Sequence, residues 1–231
     1  MHTAAIMQPT YLPYLGYFHL IAASDIFVFL DDVQFARRSW QSRNRILGAG
    51  GEVMLTVPVK KTGREAAIKD IEVADDQPWR AAHLNAFRHA YGKRPFFADA
   101  MAFLEEHLVE TGALADLNIG LISAAARRLH LNAELIRASS LSTPGHRSEH
   151  LLAICRAVGA THYLSPMGSA EYMEQEGVLD AADFPFRFQP FVEVAYRQGR
   201  ETFTPYMAFV DALANVGWSG LKGVIATMRE S

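Results

Sequence analysis

The side chains best suited to chemistry gather near the start of the chain, between Gln8 and Arg45. A short apolar run is followed there by a loop rich in proline and aromatic residues, which leads into a predicted helix. Free backbone N–H groups and the helix dipole favour an anionic ligand at such a helix start. Gln8, Tyr11 and Tyr14 are the candidate substrate-binding residues of this loop. The alternative is a tight turn packed with aromatic side chains.

Two carboxylates, Asp31 and Asp32, stand at the end of the apolar run 26–30. They cannot both enter the core without partners, because an unpaired buried carboxylate is costly. We predict that they are the catalytic residues, one of them acting as a base or binding an amine, a ribose or a metal. Gln34 is placed beside them as a substrate-binding residue. The alternative is a solvated strand end at which Asp25 and Asp32 act as caps.

A basic stretch, residues 37–45, holds four arginines in nine residues, interleaved with Trp, Ser and Asn. Guanidinium groups grip phosphate or carboxylate with two hydrogen bonds and stack on rings, so the stretch predicts an anion clamp. The alternative is a solvated loop whose charges pair with Asp31, Asp32 or Glu52. The substrate-binding residues predicted here are Arg38, Trp40, Arg43, Asn44 and Arg45, with Lys60 from the end of the next strand.

Ser165, Gly168 and Ser169 follow the apolar run 161–165 and precede a predicted short helix. This order is typical of a phosphate cradle, so the three residues are predicted to bind substrate. The spacing is not that of a Walker loop, and Ser165 lacks the G-x-S-x-G context of a nucleophile. The histidines form no H-E-x-x-H pattern and there is one cysteine, so the sequence contains no metal motif.

Composition narrows the class of protein. The chain has 231 residues, half of them hydrophobic and a fifth charged, and a net charge of −3. These values are ordinary for a globular protein and argue against a basic nucleic-acid-binding surface. No basic leader precedes an apolar segment, and no apolar run approaches the length of a membrane span. We therefore expect a cytoplasmic protein with small-molecule partners, no nucleic acid and no membrane span.

Apolar runs alternate with helical patterns along most of the chain, which predicts an α/β fold with a Rossmann-like, mostly parallel sheet. A small antiparallel excursion is expected within 53–73, and a helical C-terminal cap or oligomer contact within 200–231. The whole chain, 1–231, is interpreted as one domain. The predicted strands are 4–7, 26–30, 134–138 and 161–165, and the main predicted helices are 15–23, 76–91, 96–110, 114–129 and 150–158. Because ligands of open α/β sheets bind beyond the carboxyl ends of the strands, we expect the site at the ends of the first two.

Read together, these motifs resemble the WbqC-like family across nearly the whole chain. Pro166 and His150 depart from the expected pattern. The resemblance implies a role in bacterial surface-polysaccharide (O-antigen) biosynthesis, as a transferase moving an acyl or aminoacyl group, such as glycyl, onto an amino sugar of a sugar nucleotide. The residues that carry it are Gln8–Phe18, Ser24–Val28, Asp32–Phe35, Trp40–Arg45, Leu55–Val59, Arg147–Glu149, Tyr163–Ser165, Gly168 with Tyr172, and Tyr196 with Gln198.

The opening segment is also distantly similar to HIGH-motif nucleotidyltransferases such as pantothenate synthetase, which implies a shared fold. The two motif histidines would fall near Tyr14 and Tyr17, and tyrosine carries no positive charge. Adenylyl transfer would then need charge from the basic stretch. Two alternatives therefore stay open beside the transferase: an ATP-using nucleotidyltransferase or ligase, and a non-catalytic sugar-nucleotide-binding protein. The cofactor is left open, with ATP or another nucleotide as candidates.

Overall fold

The computed structural model describes residues 1–228 and centres on a five-stranded sheet in which every pairing is parallel. Strand β1 (Thr3–Met7) lies in the middle and pairs on one side with β2 (Ile26–Phe29) and on the other with β6 (His162–Ser165). Strand β5 (Glu134–Arg137) extends the sheet beyond β2, and β7 (Phe186–Phe188) extends it beyond β6.

The strand order β5-β2-β1-β6-β7 confirms the predicted α/β fold with a mostly parallel, Rossmann-like sheet. The chain winds from β1 through β2 to β5, then returns past β1 to form β6 and β7. The winding direction therefore reverses between β1 and β6. In doubly wound sheets this reversal leaves a crevice beyond the strand ends, where ligands bind.

Helices cover both faces of the sheet, because successive residues of each buried strand point to opposite sides. Ala5 and Phe27 belong to one hydrophobic cluster, and their neighbours Ala4 and Val28 belong to the other. The first cluster also holds α1 (Leu15–Ala22), α4 (Leu114–Arg128) and α8 (Phe209–Thr227), while α5 (Ser148–Ala157), α6 (Ala170–Glu176) and α7 (Val178–Ala181) pack in the second.

Helices α2 (Trp79–Tyr91) and α3 (Phe97–His107) complete the larger cluster. Pro78 occupies the N-cap position of α2. In the part of the chain described, no helix is both long enough and apolar enough to cross a bilayer.

The predicted antiparallel excursion exists, but it begins earlier than expected. Its two strands are β3 (Arg43–Gly48) and β4 (Gly51–Thr56), so part of the basic stretch is a strand. Asn44 and Ile46 are buried while Arg43 and Arg45 are half-buried, an alternation that the density of polar residues conceals. The expected strand at 68–73 is instead a short 3₁₀ turn, Ile68–Asp70, followed by isolated bridges.

The C-terminal segment is helical, as predicted, but it is a core element and not an outer cap. Phe209 and Leu213 in α8 are fully buried. The helical geometry of α8 is interrupted at Gly217, whose φ is 69°. A Cβ at Gly217 would lie 2.7 Å from the ring of Phe96, so only glycine fits this close approach. The last residues of the expected cap, 229–231, lie outside the described residues.

Candidate functional site

A cleft of about 610 Å³ opens beyond the carboxyl ends of β1 and β6, at the point where the winding of the sheet reverses. Met7 and Gln8 line it on the β1 side, and Pro166 and Ser169 line it on the β6 side. Its position and size are those of a small-molecule site in a doubly wound sheet.

A smaller side pocket of about 230 Å³ adjoins the cleft. Both hollows are lined by Met7, Thr10, Tyr14, Trp40 and Tyr206, so these residues border two neighbouring compartments. The side pocket is walled in addition by Pro13, Asn44 and Arg45.

The lining of the cleft is aromatic and uncharged. Among the described residues, no carboxylate, ammonium or guanidinium group lines it. Such walls suit rings and hydroxyl-bearing groups, which stack on aromatic faces and hydrogen-bond to neutral side chains. The rings are those of Tyr14, Trp40, Tyr163, Tyr172, Phe191 and Tyr206, and the polar side chains are those of Gln8, Thr10, Ser39, Gln41, Ser169 and Gln189.

Tyr14 stands at the boundary between the two compartments, where it caps the start of α1. Its ring meets Phe191 and Tyr206 edge-on, with centroid distances of 5.4 and 5.9 Å. Burial, helped by Tyr206 and Glu193, raises the pKa of Tyr14 to about 12. The phenol is therefore neutral at physiological pH and can act as a hydrogen-bond donor.

Tyr11 does not line the cleft, although its loop does. Its side chain is fully buried, and its hydroxyl lies 2.9 Å from Nδ1 of His83. Burial lowers the pKa of His83 to about 4, so the imidazole is neutral at pH 7. Tyr11 and His83 thus form a buried polar contact that holds the loop against α2.

Asp31 is fully buried outside the lining of the cleft. Its two carboxylate oxygens accept hydrogen bonds from the backbone N–H of Ser139, at 2.9 Å, and from the Ser139 hydroxyl, at 2.8 Å. A guanidinium nitrogen of Arg137 lies 4.0 Å away. These partners follow β5, so Asp31 ties the ends of β2 and β5 together.

Asp32, the next residue, faces a different neighbour. Its Oδ1 lies 3.2 Å from Nε2 of His150, and Nδ1 of His150 donates to the carbonyl of Pro144 at 3.2 Å. The hydrogen bond to Asp32 raises the pKa of His150 and outweighs the effect of its burial. Neither side chain lines the cleft, although His150 directly precedes Leu151, which does.

Gln34 and Lys60 point away from the cleft. Gln34 is exposed, and its amide nitrogen donates to the carbonyl of Arg64 at 2.7 Å. Lys60 pairs with Glu72 at 2.6 Å, beside a separate hollow on the surface.

The basic stretch divides in the structure. Trp40 lines both compartments and Arg45 lines the side pocket, whereas Arg38 and Arg43 line neither. Arg45 forms a two-pronged ion pair with Glu52, at 2.9 and 3.1 Å, as the alternative interpretation proposed. Arg38 is exposed and has a φ of 60°.

Asn44 is a structural residue that also forms part of the side-pocket wall. Its amide nitrogen donates to the carbonyls of Tyr11 and Leu12, at 3.1 and 2.7 Å. Its oxygen accepts from the N–H of Arg45 at 2.8 Å. The side chain therefore fixes the Pro-rich loop onto β3.

Gly168 and Ser169 line the cleft, as the sequence suggested, but Ser165 lies beneath them. Ser165 is fully buried, and its hydroxyl hydrogen-bonds to that of Ser169 and lies 3.3 Å from the hydroxyl of Tyr163. Ser169 also donates to the carbonyl of Pro166 at 2.7 Å. The Ser165 hydroxyl thus supports the loop from below.

Two guanidinium groups lie over aromatic rings that belong to the walls of the compartments. The guanidinium of Arg45 lies 5.7 Å from the ring centre of Trp40, and that of Arg147 lies 5.8 Å from that of Tyr172. Arg147 also pairs with Glu176 at 3.0 Å. Within residues 1–228, no group of three or more His, Cys, Asp or Glu side chains is arranged to hold a metal ion.

Comparison with protein-family profiles matches residues 8–222 to the WbqC-like protein family. The chain belongs to this family. A relative from Mycobacterium tuberculosis, named uncharacterized protein Rv1507c, is 32% identical over 225 residues, which cover 94% of this chain and 95% of the relative. No solved structure matches the chain. The resemblance inferred from the sequence motifs is thereby confirmed.

This WbqC-like protein completes its cleft with residues that sequence reasoning did not select. Gln189, Phe191 and Tyr206 come from an irregular segment after β7, defined here as the strap, residues 189–208. Their types and spacing follow no helical or strand period, so pattern analysis had no signal to use. Tyr172, from α6, is one of the residues that carry the family resemblance, but it was not predicted as a site residue.

The strap of the WbqC-like protein is anchored by a buried carboxylate. Asp211 accepts hydrogen bonds from the hydroxyls of Tyr91 and Tyr196 and from the Gln198 amide, the last at 3.0 Å. Burial raises its pKa despite these donors. Closer to the cleft, Glu193 accepts the N–H of Tyr206 at 2.6 Å, and burial raises the pKa of Glu193 to about 7.

Proposed function

We propose that this WbqC-like protein is a transferase of bacterial surface-polysaccharide biosynthesis, which moves an acyl or aminoacyl group, such as glycyl, onto the amine of an amino sugar carried by a sugar nucleotide. The observation that supports this most is the pair of adjoining compartments at the sheet reversal. One compartment, of about 610 Å³, suits a sugar nucleotide, and the other, of about 230 Å³, suits the smaller donor.

In this proposal the compartments hold two substrates side by side. They meet at Tyr14, Trp40 and Tyr206, so reacting groups placed in each would face one another there. Holding two reactants in contact removes much of the entropic barrier to their reaction. Trp40 and Tyr172 would stack on rings of the substrates, and Arg45 and Arg147 at the margins would meet a diphosphate or a carboxylate.

In the proposed reaction the amine nitrogen bonds to the acyl carbonyl carbon, and the bond from that carbon to the donor's leaving group breaks. The nitrogen gives up a proton as the amide forms, so a nearby group must accept it. Asp32 with His150 is the candidate pair, because the two side chains are hydrogen-bonded and each lies within two residues of a cleft-lining residue, Leu30 or Leu151. Asp31 is a poorer candidate, because both of its oxygens are already bonded to Ser139.

An ATP-using nucleotidyltransferase is less well supported. The residues at its motif histidine positions are Tyr14, a neutral phenol, and Tyr17, which is fully buried and donates to the carbonyl of Gln8 at 3.1 Å. Neither supplies the positive charge that adenylyl transfer requires.

The test is a turnover assay that uses uridine-diphosphate amino sugars with acyl and aminoacyl donors, read by mass spectrometry of the N-acylated sugar nucleotide. Product formation that falls at least a hundredfold in Asp32→Asn supports the proposal. Asp70→Asn is the matched control, because Asp70 is exposed and lies in the 3₁₀ turn Ile68–Asp70. Saturable sugar-nucleotide binding without any product would favour a binding protein, and pyrophosphate release from ATP would favour the nucleotidyltransferase.

A further inference from the structure

Two glutamine amides of the cleft have orientations that the surrounding hydrogen bonds determine. The first is set by a chain that begins at Ala36, whose backbone N–H can only donate. It donates to Oε1 of Gln41 at 2.9 Å, which fixes Nε2 as the free end of that amide. Gln41 Nε2 then donates to Oε1 of Gln8 at 2.7 Å.

The Oε1 atom of Gln8 therefore already accepts a hydrogen bond, and its NH₂ group is available as a donor. This Nε2 makes no hydrogen bond to any described residue, and Gln8 lines the cleft at the carboxyl end of β1. The backbone of Gln8 is held as well, because its carbonyl accepts the hydroxyl of Tyr17 at 3.1 Å. The cleft thus has a positioned, uncharged donor at its β1 side.

Gln189 has the opposite polarity. Its Nε2 donates to the carbonyl of Gly16 at 3.0 Å, so the oxygen is the remaining end of the amide. Within the described residues this Oε1 accepts no hydrogen bond, although the side chain is only 2% exposed. Gln189 lines the cleft and also a second hollow, which His19 and Arg187 line as well. The backbone N–H of Gln189 donates to the carbonyl of Ser165 at 2.7 Å, which fixes the residue against β6.

We infer that the cleft recognises a secondary amide group, –CO–NH–, whose carbonyl oxygen accepts from Nε2 of Gln8 and whose N–H donates to Oε1 of Gln189. This inference rests on the proposed function, because a secondary amide is what acyl transfer to an amine produces. The uncharged walls agree with a neutral group, since a charged one would lose its hydration there without a counter-charge.

Two parts of a sugar nucleotide present this same chemistry. One is the acylamino substituent of an N-acylated sugar, and the other is the imide edge of a uracil ring. Both offer a carbonyl oxygen and an N–H, which lie on opposite sides of a trans acylamino group and on one edge of the uracil ring. A ligand that lacks them leaves Gln8 and Gln189 unpaired when it closes the cleft, so it binds more weakly.

Calorimetry with four probes tests the inference: UDP-N-acetylglucosamine, UDP-glucosamine, UDP-glucose and CDP-glucose. If the sugar amide is read, UDP-N-acetylglucosamine binds at least tenfold more tightly than both UDP-glucosamine and UDP-glucose. If the uracil edge is read, UDP-glucose binds at least tenfold more tightly than CDP-glucose, because cytosine has no N–H at that ring position. Equal affinities throughout, or no binding of any probe, would overturn the inference.

A second test reverses the orientation of the Gln8 amide through a substitution at Gln41. In Gln41→Glu the side chain offers only acceptors, so Gln8 must turn its NH₂ toward it and present its oxygen to the cleft. The tenfold preference then falls to twofold or less, while thermal unfolding shows that the fold is kept. The control is Gln77→Glu, the same exchange at an exposed site, which leaves the preference unchanged. A preference that survives Gln41→Glu would contradict the assigned orientation.

The outcomes separate this inference from the proposed function. Amide discrimination without turnover leaves the inference standing and removes the transferase. Turnover without discrimination removes the inference alone.

Discussion

The basic stretch and the cleft lie side by side, yet they use their polar groups in opposite ways. In the stretch, Arg45 pairs with Glu52 and the Asn44 amide is fully bonded to neighbouring backbone groups. In the cleft, Gln8 and Gln189 each keep one end of the amide free of partners among the described residues. The cleft thus differs from the basic stretch in having hydrogen-bonding groups without a partner in the described residues. The density of charge along the chain does not reveal this difference.

The largest effect expected on the structural side concerns His83, the partner of Tyr11. Its pKa is about 4 in the folded protein and near 6.5 when unfolded, so the folded state favours the neutral ring. The associated stability is complete above pH 6.5 and is lost as the pH falls toward 4, by about 3 kcal/mol in total. Urea unfolding at several pH values measures it. His83→Gln should flatten this part of the profile, and an unchanged slope in that variant would contradict the assignment.

Asn44→Ala comes next. It leaves the carbonyls of Tyr11 and Leu12 without their donor, which should lower the free energy of unfolding by about 2 kcal/mol. Chemical denaturation provides the measurement. If Asn44 were instead mainly a substrate ligand, this variant would unfold like the wild type and lose only affinity.

Trp40→Ala tests the cleft itself. Loss of a stacking ring should weaken sugar-nucleotide binding about tenfold, since base–aromatic stacking contributes about 1–3 kcal/mol. The indole is 49% exposed, so the free energy of unfolding should change by less than about 0.5 kcal/mol. Met54→Ala, at an exposed apolar position on β4, is the control. Equal affinities of the two variants would remove Trp40 from the site.

Asp32→Asn should lower the pKa of His150 toward its ordinary value, because the hydrogen bond to Asp32 is the main cause of its increase. In the wild type, this pair stabilises the fold fully below the unfolded pKa near 6.5 and loses that effect as the pH rises through the raised folded pKa. NMR titration of the His150 ring gives the answer directly. A His150 pKa that is the same in both proteins would exclude the coupling.

The smallest effect is expected from Arg38→Ala. Arg38 is exposed and lines neither compartment, so unfolding should change by less than about 0.5 kcal/mol and ligand affinity should stay the same. A tenfold loss of affinity would reinstate the anion clamp and reverse the comparison.

Much of the fold could be predicted because its signals are local. Apolar runs such as 26–30 are buried on both faces of the sheet, so their composition alone identifies them. Strand β3 was missed because its buried Asn44 and half-buried arginines resemble a solvated loop. Burial of a polar side chain depends on partners elsewhere in the chain, here the carbonyls of Tyr11 and Leu12.

The sequence indicated cleft residues at the strand ends and at two aromatic positions, Tyr14 and Trp40. Gln8 and Ser169 follow β1 and β6, where the topology of an open sheet concentrates ligands. Gln189 and Tyr206 come from the strap, whose sequence shows neither helical nor strand periodicity. The roles of Asp31 and Asp32 were inseparable in sequence, because Ser139 and His150 become their neighbours only after folding.

The pairing of β1 with β6 also has a consequence for how the protein is made. Ala4 meets Tyr163, so the two sides of the cleft leave the ribosome separated by most of the chain. Until then β1 has an open edge, and its apolar residues need protection from aggregation. A nascent chain that lacks the strap contains Gln8 but not Gln189, Phe191 or Tyr206, so the walls of the cleft are complete only after residue 206 has been synthesised.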